Sequence, residues 1–230
     1  MNTPVNLFSA VTIMRKSTLT IAMATAIAAL FSGCNSLERS RSLANPAVSA
    51  TVIAQQVCSN CHGVTGNAES PNFPNLAAQS ETYFIAQLNG FKNHGRHDPA
   101  GFEYMWGLSK DLTDVQIVGL AAYYAKQKPK KISTASSDTT LVAEGKKIFA
   151  EGIAASQIPA CSACHGADAQ GQAAFPRLSG QHADYLVKQL MVFQRTDERP
   201  EGSVMKGIAH LLTPQNMAAV ASYLEGLPSK

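Results

Sequence analysis

The sequence predicts an all-α protein made of two tandem copies of one helical unit. Three observations carry this. Residues recur in order at an offset of 100 to 103 positions, apolar residues recur at helical spacing, and the last helix of each copy opens on a capping signal. No convincing alternating apolar–polar run argues for strands. The 230 residues leave room for one large domain or two small ones. At 45% hydrophobic and 15% charged, the chain is too apolar for a disordered one. Its formal charge of +3 excludes a strongly basic nucleic-acid binder.

Taken in order, residues 1–33 read as an export signal. Arg15 and Lys16 precede a 13-residue stretch, Leu19 to Phe31, that lacks charge, and small residues follow. Thirteen residues make a helix of only about 20 Å, short of the roughly 30 Å hydrocarbon core. Met14, directly before Arg15, is a second candidate start. Leu30-Phe31-Ser32-Gly33-Cys34 resembles the lipobox of bacterial lipoproteins, with Phe31 in place of the usual Leu. That resemblance implies a lipid on Cys34 and makes residues 34–47 a tether. Without residues 1–33, 17 basic and 16 acidic groups remain, so charge says little about partners.

The first unit is expected over 48–130 and the second over 140–230. Between them, residues 131–139 are rich in Ser, Thr and Lys and read as an exposed linker. Helices are expected near Val48–Val57 and Leu141–Ala150. Phe84, Leu88 and Phe91 then recur at i, i+4 and i+7, as do Leu186, Leu190 and Phe193. The closing helices carry Ile117, Leu120, Ala121 and Tyr124, and Met217, Val220, Ala221 and Leu224. Thr113 with Gln116 forms a capping box, and Thr213 precedes Pro214 at the first helical position.

Cys58-Ser59-Asn60-Cys61-His62-Gly63 repeats as Cys161-Ser162-Ala163-Cys164-His165-Gly166 at an offset of 103. C-x-x-C-H is the attachment signal for a c-type haem. Cysteines three apart on a helical turn reach both porphyrin vinyl groups, and the adjacent histidine supplies the proximal nitrogen. Two covalently attached haem c groups are therefore expected, on Cys58, Cys61 and His62 and on Cys161, Cys164 and His165. Cys34 is the one cysteine left over. A shared zinc site would have to join pairs about 100 residues apart. A thioredoxin-like pair lacks its βαβ setting, and structural disulfides leave the histidines unexplained. A buried porphyrin would also give Phe73, Tyr83 and Phe91 a surface to pack on.

An electron carrier needs a further iron ligand, methionine or histidine. Met105 and Met205 are the methionines that match across the repeat, at an offset of 100. Met191 aligns with Asn89, and Met217 falls on an apolar helix stripe. His94, His97, His182 and His210 have no matching histidine and read as surface or loop residues.

With Phe73-Pro74-x-Leu76 and Phe175-Pro176-x-Leu178, and Leu-Thr before each last helix, the chain resembles class I c-type cytochromes. More narrowly, it resembles the dihaem cytochrome c4 family, from about residue 48 to the end. The resemblance implies two tandem class I cytochrome c domains, each wrapped around one covalently bound haem. It also implies that the Pro74 and Pro176 carbonyls accept a hydrogen bond from the proximal histidines. The chain departs from the family in a longer loop from Lys92 to Tyr104; there Arg96, and with it Arg199, reads as a propionate partner or a solvated surface residue.

The implied function is a periplasmic electron carrier with no catalytic residue. Its redox partner proteins would be a respiratory donor (a quinol–cytochrome c reductase or a dehydrogenase) and a haem–copper terminal oxidase. A lipid anchor would add a membrane contact; nucleic acid is not expected. The alternatives are a cytochrome subunit of a periplasmic dehydrogenase complex, or a dihaem peroxidase with one open iron.

Overall fold

The computed structural model describes residues 42–133 and 135–228. The export segment and Cys34 lie outside the described residues. The described residues form one compact unit. Its described elements are helical, apart from isolated bridges at Ile153–Ile158 and Gln172–Phe175. Among the described residues, no helix is long and apolar enough to cross a membrane.

The first half opens with α1 (Ala50–Ile53), capped by the Ser49 hydroxyl, which accepts from the Val52 N–H. A π-helical segment, Ala54–Cys58, carries the chain into α2 (Ser59–His62), so the expected opening helix continues into the cysteine motif. Part of the expected tether is also fixed. Leu43 packs on the first core, and the Gln116 amide donates to the carbonyls of Asn45 and Val48.

Helix α3 (Glu81–Lys92) buries Phe84, Leu88 and Phe91, as the spacing predicts, and buries Gln87 on the same face. The Lys92–Tyr104 loop contains α4 (Pro99–Gly101) and leads into a π-helical segment, Phe102–Trp106, continued by α5 (Gly107–Ser109). Nine positions separate Arg96 from Met105, against six from Arg199 to Met205. Both halves have a short helix here, Pro99–Gly101 and Pro200–Gly202; two of the extra positions, His97 and Asp98, precede it, and the third falls in the wider π turn. Helix α6 (Asp114–Ala125) has the expected Thr113–Gln116 capping box.

The second half repeats the plan. Helix α7 (Thr139–Glu151) is followed by α8 (Ser162–His165), α9 (Ala183–Arg195), α10 (Ser203–Leu211) and α11 (Pro214–Glu225). Helix α11 has Pro214 in its first turn and a capping box from Thr213 and Asn216. Helices α7 and α11 pack closely because Gly145 has no Cβ; one built there would collide with the Ala219 carbonyl.

Each half has its own core. Ile53, Phe84, Leu88, Ile117, Leu120 and Tyr124 form the first. Ile148, Phe149, Leu186, Val220 and Leu224 form the main cluster of the second. Met217 is core, 2% exposed, as its stripe predicts. The described fold is all-α, in two halves built on one plan.

Candidate haem centres

Both cysteine motifs form a single helical turn ended by glycine. Gly63 and Gly166 have φ of +74° and +83°, a conformation that L side chains rarely adopt. A Cβ at Gly63 would run into the Asn67 carbonyl oxygen. This stop leaves His62 and His165 at the end of their turns, 8% and 6% exposed.

The histidines are oriented alike. His62 Nδ1 lies 2.9 Å from the Pro74 carbonyl oxygen, and His165 Nδ1 lies 3.0 Å from that of Pro176. A carbonyl can only accept, so Nδ1 carries the proton and Nε2 keeps a lone pair. Burial also pushes both imidazoles below their ordinary pKa, against the hydrogen bond to the proline carbonyl. Each ring is therefore a neutral donor with one free nitrogen, the form that ligates a metal. Phe73 and Phe175 stand edge-on to them at 6.0 and 6.1 Å between centroids.

No disulfide joins Cys58, Cys61, Cys161 and Cys164 to one another. Burial pushes Cys58 and Cys161 up to about 11. Such thiols are protonated at neutral pH, the opposite of the lowered pKa of a thioredoxin-like pair. Among the described residues, no three His, Cys, Asp or Glu side chains converge as a metal site.

In front of the first motif lies a cavity of about 1160 Å³. Cys58, Cys61, His62 and Met105 line it, with Phe84, Leu88, Phe91 and Leu112 among its apolar walls. Phe73 and Tyr83 line it too, as a porphyrin surface would require. Met105 and Met205 are both half-buried; Met105 sits in the π turn and Met205 in α10. The second half lines the cavity as well, with polar Arg177, Gln181, Tyr185 and Gln189 beside apolar Leu178, Leu186 and Met191. A mainly apolar lining with a few polar side chains suits an apolar plate with two carboxylates.

Four lining residues, Asn75, Gln79, Arg177 and Gln181, join the halves by reciprocal hydrogen bonds. The Gln79 amide donates to the Arg177 carbonyl at 3.1 Å and accepts from the Arg177 N–H at 2.8 Å. The Gln181 amide does the same with Asn75, at 3.0 and 2.8 Å. Gln79 and Gln181, like Asn75 and Arg177, are equivalent at an offset of 102. The Ser80 hydroxyl donates to the Ala173 carbonyl, and His182 Nε2 donates to the Ala68 carbonyl at 2.9 Å.

A second cluster lies beside the first. Arg96 and Arg199 each donate to both Gln87 and Gln189, over 2.6 to 3.1 Å. Arg96 is closed by Asp98 at 2.7 Å and Arg199 by Glu201 at 3.0 Å. Burial raises the Asp98 pKa, but Arg96 and Arg199 outweigh it and hold the carboxyl below the usual range. The solvated-surface reading of both arginines is thus corrected: they are 5% and 7% exposed because the opposite half covers them. His182, also read as a surface residue, is 5% exposed for the same reason, whereas His94, His97 and His210 are exposed.

Comparison with known proteins accords with this geometry. The cytochrome c family model matches residues 142–228. Cytochrome c4 of Pseudomonas aeruginosa is 39% identical over 175 residues, covering 74% of this chain and 84% of that protein. The chain belongs to the cytochrome c4 family. The Azotobacter vinelandii member is 38% identical over 180 residues, with the same shares covered. The crystal structure of reduced cytochrome c4 from Pseudomonas stutzeri superposes with a TM-score of 0.69 at 34% identity, over 78% of this chain and all of that one. A thiosulfate dehydrogenase electron acceptor from Thiomonas intermedia is 32% identical over 174 residues, covering 74% of this chain and 78% of the acceptor. Thiosulfate dehydrogenase (TsdBA) from Marichromatium purpuratum has a TM-score of 0.66 at 28% identity, over 83% of this chain and 40% of that chain. As a cytochrome c4, the protein carries two covalently bound haem c groups and is a dihaem electron carrier.

Proposed function

We propose that this cytochrome c4 shuttles single electrons in the periplasm between a respiratory donor, a quinol–cytochrome c reductase or a dehydrogenase, and a terminal oxidase. Residues 48–130 and 140–230 each serve one haem, joined by 131–139. Cys58 and Cys61, and Cys161 and Cys164, form the thioethers. His62 with Met105, and His165 with Met205, ligate the irons. The haem supplies reversible one-electron exchange. The chain does the rest: the Pro74 and Pro176 carbonyls fix each imidazole, and the apolar walls keep water from the iron. Arg96 and Arg199, each closed by its own carboxylate, tie Gln87 to Gln189 and hold the halves together beside the site.

The observation that carries this reading is the equivalence of the two centres, with the same histidine–proline bond in both and a half-buried methionine at the matching position. With methionine on both irons, neither offers a position to substrate. Both haems should be low-spin and slow towards carbon monoxide, and the oxidised protein should show a near-infrared sulfur-to-iron band of two-haem strength. Fast carbon monoxide binding at one haem of the unmodified protein would favour a peroxidase-type site instead.

The similarity to thiosulfate dehydrogenase electron acceptors supports a second reading, a permanent cytochrome subunit of a dehydrogenase. Purification from native membranes separates the two, since a subunit retains its enzyme and a shuttle does not. Export through residues 1–33 and lipid on Cys34 complete the proposal. Cys34→Ala should move the protein from the membrane to the soluble fraction.

A further inference from the structure

Two arginines in different conditions, Arg96 and Arg177, line the first cavity. Arg96 is saturated: its Nε and Nη2 face Asp98, its Nη1 donates to Gln87 and its Nη2 also to Gln189. Arg177 is not. It is 7% exposed, and its Nη2 donates to the Ser179 hydroxyl at 3.2 Å. Its Nε is a buried nitrogen without a hydrogen-bond partner, and among the described residues no carboxylate forms an ion pair with it. Burial alone moves its pKa, downwards, with no opposing charge. A buried guanidinium in this condition is costly until an anion meets it.

Arg177 belongs to the second half, three residues before Gly180, yet it lines the cavity that contains Cys58, Cys61 and His62. Its backbone is held there by both bonds to Gln79 of the first half. Its counterpart in the first half, Asn75, is neutral and satisfied, accepting from the Ala68 N–H and donating to the Gly180 carbonyl, both at 2.8 Å. The arrangement is therefore one-way.

We propose that Arg177 is a cofactor-binding residue of the first centre, supplied by the second half, whose guanidinium receives a carboxylate of the first haem. Docking of the halves then completes the first site, and the same cation favours the reduced, less positive state of that haem. This rests on haem attachment at Cys58 and Cys61, which mass spectrometry of the holoprotein checks separately.

The test is the reduction equilibrium of each haem in the full holoprotein, followed by paramagnetic NMR with signals assigned through Met105→Ala and Met205→Ala. Arg177→Asn installs the residue that the other half already tolerates. It should lower the reduction equilibrium constant of the first haem on the order of tenfold, as a unit charge does across roughly 10 Å at an effective dielectric near 20. Arg177→Lys should stay near the parent. If Arg177→Asn lacks the first haem, retention of that haem by Arg177→Lys supports the assignment and its loss overturns it. The proposal also fails if the first haem does not respond, if only the second does, or if Arg177→Lys shifts as far as Arg177→Asn. Varying chloride and phosphate separates a cofactor carboxylate from a solution anion. The shift should be independent of both, and dependence on either assigns Arg177 to the buffer anion.

Discussion

Gln79→Ala removes one of the two reciprocal clamps between the halves, and its cost can be worked from the geometry. The amide accepts from the Arg177 N–H at 2.8 Å and from the Ser80 N–H at 3.0 Å, and donates to the Arg177 carbonyl at 3.1 Å. Gln79 and Arg177 are each 7% exposed, so truncation strands the Arg177 N–H and carbonyl away from water. At about 1–3 kcal/mol per stranded group, the expected loss is about 2–6 kcal/mol, the Ser80 donor being nearer solvent. The loss falls on the interface and leaves each core intact. Trp106 is the single tryptophan and lies in the first half, so its emission in guanidinium reports that half, while far-ultraviolet circular dichroism reports both. The parent should unfold with coincident transitions. Gln79→Ala should separate them, and so should Gln181→Ala. In the double variant the losses should fall short of additivity, because an interface opened by one substitution has less to lose from the other. Coincident transitions with less than about 0.5 kcal/mol lost would refute the view that these bonds hold the halves together.

Three further expectations follow from the same geometry. Asp98→Asn leaves Arg96 buried without a counter-charge and should cost about 3 kcal/mol at pH 7. Because the folded Asp98 pKa is depressed, its contribution is full above the ordinary carboxylate pKa and disappears as pH falls through the lower folded value. The gap between parent and variant in denaturant titrations should therefore close below about pH 4. Gly63→Ala combines positive φ with a clash on the Asn67 carbonyl; a loss of about 2 kcal/mol or more, with poor occupancy of the first haem, should appear in melting and haem-to-protein ratios. Met105→Ala and Met205→Ala should each remove about half of the near-infrared sulfur-to-iron absorbance and open one haem to carbon monoxide.

Legibility in the sequence followed the kind of signal. The all-α fold, the caps at Thr113 and Thr213 and the helix stripes depend on neighbours three or four residues apart, and those are visible in one chain. The motif histidines and prolines recurred in register, and the structure brings both pairs together at hydrogen-bond distance. Gln87, Gln189, Tyr83 and Tyr185 also recurred, but recurrence alone does not say what a polar residue meets. Gln87 had one usable clue: it lies three residues after Phe84 and next to Leu88, within the buried face of α3. Arg96, Arg199 and His182 had no local clue. What buries them comes from the other half, about 90 to 115 positions away, and no helical period reaches that far.

The interface explains why a repeated chain need not behave as two independent carriers. An apolar contact between halves would tolerate sliding, since burial is non-directional. Four main-chain groups of Asn75 and Arg177, each matched to a glutamine of the other half, do not tolerate it. A shift in register strands all four, at about 1–3 kcal/mol each. The polar contacts thus fix one orientation, and they do so beside the cavity that opens on both cores. Several differences between the halves fall at this place: Asn75 against Arg177, buried Asp98 against exposed Glu201, Ser80 against His182. A chain that repeats its two C-x-x-C-H motifs while setting Arg177 against Asn75 and His182 against Ser80 keeps the motifs alike and puts part of the difference in charge between the halves into their interface.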